Sequence, residues 1–151
     1  MTVRLELDDV DKAIIRELQI DGRAAYSRLA PEVGLSEAAV RQRVNRLQDR
    51  GVIQIVAVTD PVSLGYPIQA MVGINVSSAH DPTAEKISQI DSVDYTVMTT
   101  GRFDVLAEIV CRDTEQLIEV TNQIRDLGEV NHVEVMTYLR MVRQNYDWGT
   151  M

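Results

Sequence analysis

Little in this chain can do covalent or metal chemistry. It has one cysteine, Cys111, and two histidines, His80 and His132. A lone thiol closes no internal disulfide and suits a reducing compartment, here the cytoplasm. No C-x-x-C or H-x-x-x-H spacing offers itself to a metal, and neither G-x-G-x-x-G nor G-x-x-x-x-G-K occurs to cradle a nucleotide. His132 and Glu134 share a strand face but read as surface groups rather than an acid–base couple. Aromatic residues make up only 5% of the chain, and Trp148 reads as a packing anchor. No apolar run reaches the ~18 residues of a membrane span, and MTVRLELDDVDK lacks the apolar core of a signal peptide. The expectation is a cytoplasmic protein that is not an enzyme, with no metal, no cofactor and no membrane partner.

Positive charge is also scarce, and it is unevenly placed. The chain has 15 Lys+Arg against 23 Asp+Glu, a formal net charge of -8. Residues 1–59 hold nine of the basic and nine of the acidic side chains, so the front is neutral and the remainder carries the whole excess. Such asymmetry suggests two domains with different partners. Four arginines, Arg41, Arg43, Arg46 and Arg50, fall within ten positions of the neutral front. Because salt screens exposed charges beyond about 8–10 Å, an acidic rear does not prevent a basic helix from meeting phosphate.

The front reads as three helices. Asp8, Asp9 and Asp11 crowd the first N-terminus, where carboxylates meet free N–H groups and the positive end of the dipole. Val10, Ile14 and Leu18 then make one apolar stripe, which Asp21-Gly22 ends. A second helix is expected over Ser27–Val33, started late or distorted by Pro31. Ser36 caps a third helix, with Val40, Val44 and Leu47 inward, and Gly51 ends it. Val52–Val58 reads as a strand. Turn-rich residues 60–67 form the expected linker between a domain over 1–59 and another over 68–151.

Beyond the linker the order is βαβ–βαβ. Strands are expected over 70–76, 93–97, 103–111 and 130–139, with helices over 82–91 and 114–127 and a short further strand near Val142. Two such units make a ferredoxin-like sheet with both helices on one face. Apolar residues point both ways at Val105/Leu106 and Ile109/Val110, which predicts burial of the other face against a second subunit.

A short helix, a Gly-containing turn and a longer basic helix suit a reader of the DNA major groove. Ser36, Ala38, Arg41 and Gln42 are the candidates for base edges, and Asn45 is a further DNA-binding candidate; arginine pairs with guanine and glutamine with adenine. Arg28, Arg46 and Arg50 are better placed for phosphates. The plainer reading of this helix is a solvated face. A second stretch, Thr99-Thr100-Gly101-Arg102-Phe103-Asp104, joins two central strands. Gly101 can adopt positive φ and admit a ligand to the backbone, Arg102 can pair with a carboxylate and Asp104 with an ammonium. The plainer reading there is a polar turn.

LDDVDKAIIRELQIDGR and LAPEVGLSEAAVRQRVNRLQDRGVI resemble the DNA-binding half of the leucine-responsive/asparagine-regulator (Lrp/AsnC) transcription factors. TTGRFDVLAEIVCRD resembles the T-G-x-[YF]-D turn and strand of their effector domain. The resemblance implies an α+β protein: a winged-type helix-turn-helix followed by a ferredoxin-like βαββαβ sandwich. It implies a regulator that binds double-stranded DNA as a homo-oligomer, dimers assembling to tetramers or octamers, with a small amino acid held between dimers. Thr100, Gly101, Arg102 and Asp104 become effector positions, together with Glu134, Val135 and Met136 of the last strand. Val135 stands where the family often presents a hydroxyl. The alternatives are an architectural DNA-organising protein with no effector, or a small-molecule-binding ferredoxin-like domain whose N-terminal helices only mediate assembly.

Overall fold

The computed structural model describes residues 6–77, 80–145 and 150. They group into two compact units, one of Met1–Val58 with Arg143–Met151, the other of Thr59–Val142. The boundary between them falls at Val58 and Thr59, and the stretch from Arg143 groups with the helical unit rather than with the sheet. Trp148 lies outside the described residues.

The helical unit contains α1 (Asp9–Ile20), α2 (Tyr26–Glu32) and α3 (Glu37–Asp49). Asp8 is the N-cap of α1, its carboxylate accepting from the Asp11 amide at 2.7 Å. Ile14, Ile15 and Leu18 of α1 are buried. Helix α2 starts at Tyr26 without delay and carries Pro31 near its end. That proline lacks an N–H for the Ser27 carbonyl, and Ser27 is exposed, so water can take the vacant acceptor. Ser36 caps α3, its hydroxyl accepting from Ala39 N at 3.2 Å. Val40, Val44 and Leu47 are fully buried, each worth about 1.5–3 kcal/mol of apolar transfer. Gly51, at φ 67, closes α3: its N–H donates to Gln48 O and that of Val52 to Leu47 O, both at 2.9 Å. Only a residue free of a Cβ takes this left-handed position cheaply.

The expected strand over 52–58 does not form within the single chain. Ile55, Val56 and Val58 are exposed, and among the described residues no neighbouring strand supplies the hydrogen bonds a strand requires. The short strand near Val142 is likewise absent, and Val142 is exposed.

In the second unit, β1 (Ile68–Val76), α4 (His80–Ser88), β2 (Val93–Met98), β3 (Val105–Cys111), α5 (Thr114–Arg125) and β4 (Val130–Thr137) follow one another. The four strands lie in the order β2-β3-β1-β4, every neighbouring pair antiparallel. This is the expected ferredoxin-like arrangement, and the chain is α+β. Register assigns two faces. Ala70, Val72 and Ile74 of β1, Val105, Ala107 and Ile109 of β3, and Ala84, Ile87, Val120 and Ile124 of the helices form one core, with Val133 and Val135 of β4 against it. On the opposite face stand Met71, Gly73, Asn75, Leu106, Glu108 and Val110, with Tyr95, Val97, Glu134 and Met136 alongside by register. The expected two-sided apolar pattern is therefore real: Val105 and Ile109 are buried, while Leu106 and Val110 are only half-buried.

Candidate nucleic-acid interface and ligand loop

The third helix separates its roles by side. Behind it lies the buried stripe of Val40, Val44 and Leu47. Ser36, Ala38, Arg41, Gln42, Asn45, Arg46 and Arg50 are all exposed. Ala38, Arg41, Gln42 and Asn45 are spaced three and four apart, as one helical face requires. Ser36 serves as the cap as well, so its hydroxyl is already an acceptor within the helix.

The arginines are not idle. Arg41 pairs with Glu37 at 2.9 Å and lies 5.3 Å from the centre of the Tyr26 ring. Arg28 reaches Glu17 at 3.3 Å and Glu32 at 3.8 Å. Arg46 donates from Nη2 to both oxygens of Asp11, at 2.9 and 2.7 Å. Arg43 donates from Nη1 to Asp8 at 2.6 Å and Asp11 at 2.8 Å. Arg50 makes no ion pair among the described residues. The Arg43 guanidinium beside Asp8, helped by the Asp11 amide, holds the Asp8 carboxyl below the ordinary carboxylate range. The same contacts, Asp8 foremost, raise Arg43. Exposed pairs such as Arg41–Glu37 contribute about 0–1 kcal/mol, so a phosphate or base can displace them. Asp11 differs, because it is buried to 1% exposure and a buried charge must keep its partners.

In sequence Arg46 is a phosphate candidate and Asp11 one of several helix-end carboxylates, and their contact is not visible. The available signal was Asp11's place three and four residues before Ile14 and Ile15, on the edge of the inward face.

The Thr99–Asp104 loop is stitched to the sheet. Asp104 Oδ2 accepts from Val76 N at 2.9 Å and from Asn75 Nδ2 at 3.3 Å, and its Oδ1 lies 3.8 Å from His80 Nε2. The Val76 amide holds the Asp104 carboxyl below its usual range against the opposing pull of desolvation, with Asn75 and the charge of His80 assisting. Asp104 N donates to Ile74 O at 3.0 Å, and Thr99 N to Asp104 O at 2.9 Å. Asn75 also donates to Arg102 O at 2.9 Å, and the Thr99 hydroxyl donates to Phe103 O. Arg102 pairs with Glu134 at 2.9 Å and lies 5.2 Å from the Phe103 ring centre.

The structure thus brings Arg102, Asp104 and Glu134 to one end of the sheet around Asn75, with Thr100 and Gly101 exposed on the loop. Met136 shares the face of Glu134 by strand alternation. Val135 does not join them, for it turns to the helix-covered side and packs on the core. Gly101 is not among the glycines at positive φ, and an added Cβ there would meet only Thr99 Oγ1, at 3.8 Å. The glycine that matters for close approach is Gly73, where a Cβ would stand 2.6 Å from the Phe103 ring. Asp104 is therefore a staple of the loop before it is anything else. Sequence offered no signal for Asn75 or His80, whose proximity arises from strand register.

The same division appears in comparisons with known proteins. The family model for the AsnC-type helix-turn-helix domain matches residues 7–48, and that for the Lrp/AsnC ligand binding domain matches residues 69–148. An HTH-type transcriptional regulator of Pyrococcus horikoshii is 34% identical over 116 residues, covering 76% of this chain and 73% of that protein. Regulatory protein AsnC of Escherichia coli K12 is 30% identical over 138 residues, covering 89% of this chain and 91% of its own. The crystal structure of the Mycobacterium tuberculosis leucine response regulatory protein superposes with a TM-score of 0.87 at 28% identity, covering 95% of this chain and all of that one. With a helix-turn-helix in front and a ligand-binding domain behind, the chain belongs to the Lrp/AsnC family of transcriptional regulators.

Proposed function

We propose that this regulator reads a specific DNA sequence as a homo-oligomer in the cytoplasm, and that a small amino acid bound between its dimers sets the spacing of its reading heads. The observation that carries the reading is the sidedness of α3. Arg41, Gln42 and Asn45, with the small Ala38 beside them, form an exposed face opposite a fully buried stripe. Arg41 and Gln42 address base edges from that face, while Arg28, Arg46 and Arg50 hold the register on phosphates. One small head makes few contacts, so tethered heads gain through effective concentration.

The half-buried apolar face of the sheet, with Met71, Leu106, Val110 and Met136 on it, supports assembly through sheet-to-sheet packing. The loop of Thr100, Gly101, Arg102 and Asp104, with Glu134 and Met136 beside it, offers a cation to an effector's carboxylate and carboxylates to its ammonium. An effector that prefers one assembly shifts DNA affinity by the difference in its binding to the two, commonly about 1–3 kcal/mol.

The test combines duplex binding by fluorescence anisotropy with a thermal-shift screen of the twenty amino acids, monitored by light scattering. Arg41→Ala with Arg46→Ala is expected to abolish a binding that weakens steeply with salt. One or a few amino acids are expected to raise the melting midpoint and change the particle size. Binding that survives the double substitution, or a midpoint indifferent to every amino acid, contradicts the corresponding half of the reading.

A further inference from the structure

Asp11 is a nearly inaccessible carboxylate, 1% exposed, on α1, and its partners are two arginines of α3. Arg43 Nη1 donates to its Oδ1 at 2.8 Å, and Arg46 Nη2 to Oδ1 at 2.9 Å and Oδ2 at 2.7 Å. The contacts leave the two guanidiniums differently placed. The Arg43 side chain is 26% exposed and tied to Asp8 as well. The Arg46 side chain is 44% exposed, and its Nη1 and Nε donate to no acceptor among the described residues. A guanidinium is a planar fork whose donors keep fixed directions, so one edge can hold a carboxylate while another takes a phosphate. A free arginine on a helix surface must give up rotamer freedom when it meets phosphate; Arg46 has given it up in advance.

We infer that Asp11 is a positioning residue for DNA binding, which holds the Arg46 guanidinium so that its Nη1 and Nε donors stand ready for a backbone phosphate. This rests on the reading of α3 as the helix that enters the groove. Arg43 completes the device from the other side, binding Asp11 and Asp8 together and keeping the carboxylate in place. Asp11 touches no DNA itself.

Charge alone predicts the opposite sign. A carboxylate beside a phosphate-binding arginine repels phosphate, so neutralising it would tighten binding. The experiment measures binding of the full-length protein to a random-sequence duplex of about 30 base pairs, roughly three helical turns, across a range of salt. Phosphate contacts are sequence-independent and set the salt slope, so a random duplex reads them. Arg46→Ala is expected to weaken binding and to flatten the slope by about 1 per head. Asp11→Asn, which keeps an acceptor but loses the charge, is expected to weaken binding several-fold, and Arg46→Ala then costs little more. Arg46→Lys is expected to behave like Arg46→Ala, because an ammonium lacks the second rigid edge.

Tighter binding by Asp11→Asn, or a full-sized Arg46→Ala effect in its background, overturns the positioning role while leaving α3 as the reading helix. No effect of Arg46→Ala in the wild-type protein overturns both. If Asp11→Asn fails to fold by circular dichroism, Arg46→Lys decides: wild-type affinity and slope in that variant overturn the inference.

Discussion

Gly73→Ala places a methyl group where the structure has no room for one. The added Cβ would stand 2.6 Å from Cδ2 and Cε2 of Phe103 and 2.7 Å from its Cγ. Carbon atoms rest at about 3.5–4.0 Å, so the ring must retreat by about 1 Å. The backbone beneath it is not free to follow. Arg102 O accepts from Asn75, Phe103 O from the Thr99 hydroxyl, and Asp104 N donates to Ile74 O. The ring must therefore swing about its own side-chain bonds and leave its place over the sheet. Overpacking of this kind costs about 1–3 kcal/mol. For a unit the size of Thr59–Val142, that lowers the melting midpoint by roughly 5–15 °C.

Scanning calorimetry measures the shift, and a second substitution isolates its cause. With Phe103→Ala already present the three contacting ring atoms are gone, so adding Gly73→Ala to that background is expected to cost much less than in the wild type. The difference is a coupling between two touching residues. An unchanged midpoint in Gly73→Ala, or strictly additive losses in the pair, would refute a ring packed on this glycine.

Three further outcomes follow from individual residues. The folded protein holds the Asp104 carboxyl below its ordinary value of 3.8, so the stabilisation is complete above that pH and is lost as pH falls through the depressed value. The melting midpoint is accordingly expected to fall less on acidification below about pH 4 in Asp104→Asn than in the wild type; equal acid sensitivity would count against the Val76 and Asn75 contacts. Burial, then the hydrogen bond with Glu108, pushes Tyr138 up to about 12, so it stabilises the fold up to about pH 10 and ceases to do so as pH rises toward 12. Ultraviolet titration is expected to show one late-ionising tyrosine that Tyr138→Phe removes, and its persistence in that variant would assign it elsewhere. Gln42→Ala is expected to alter sequence preference more than general affinity; equal losses on operator and random DNA, measured by competition, would exclude base reading by Gln42.

The fold was legible wherever local pattern and burial agree. The three helices of the front follow from Asp8 and Ser36 as caps and from the stripes of Ile14–Leu18 and Val40–Leu47. The sheet follows from period-two strands separated by two helical segments. Val52–Val58 shows where pattern is insufficient: alternation records fitness for a sheet, but a strand exists only beside another, and the described residues of this chain provide none there. Phe103 and Asp104 were expected to open β3, yet they remain in the loop because Asp104 hydrogen-bonds across to the end of β1.

At the site, sequence shows residue chemistry but not who meets whom. Arg28, Arg41 and Arg46 were correctly expected on helix surfaces, while their carboxylate partners were not foreseen. Arg28 and Arg41 each have a partner four residues away on the same helix, Glu32 and Glu37, a spacing visible in sequence. Asp11 lies on a different helix from Arg46, and only the packing of α1 on α3 brings the two together. Val135 was a matter of alternation: counted against Val72 in the neighbouring strand, it must face the helices, with Glu134 and Met136 facing away.

The central claim is a division of labour between the two compact units. It is tested most directly by producing residues 59–142 alone, then measuring sedimentation velocity and duplex binding on the same sample. The account predicts a folded oligomer with no affinity for DNA, whereas the full chain binds with a steep salt dependence. A monomeric fragment, or one that retains the duplex binding of the whole protein, would contradict it.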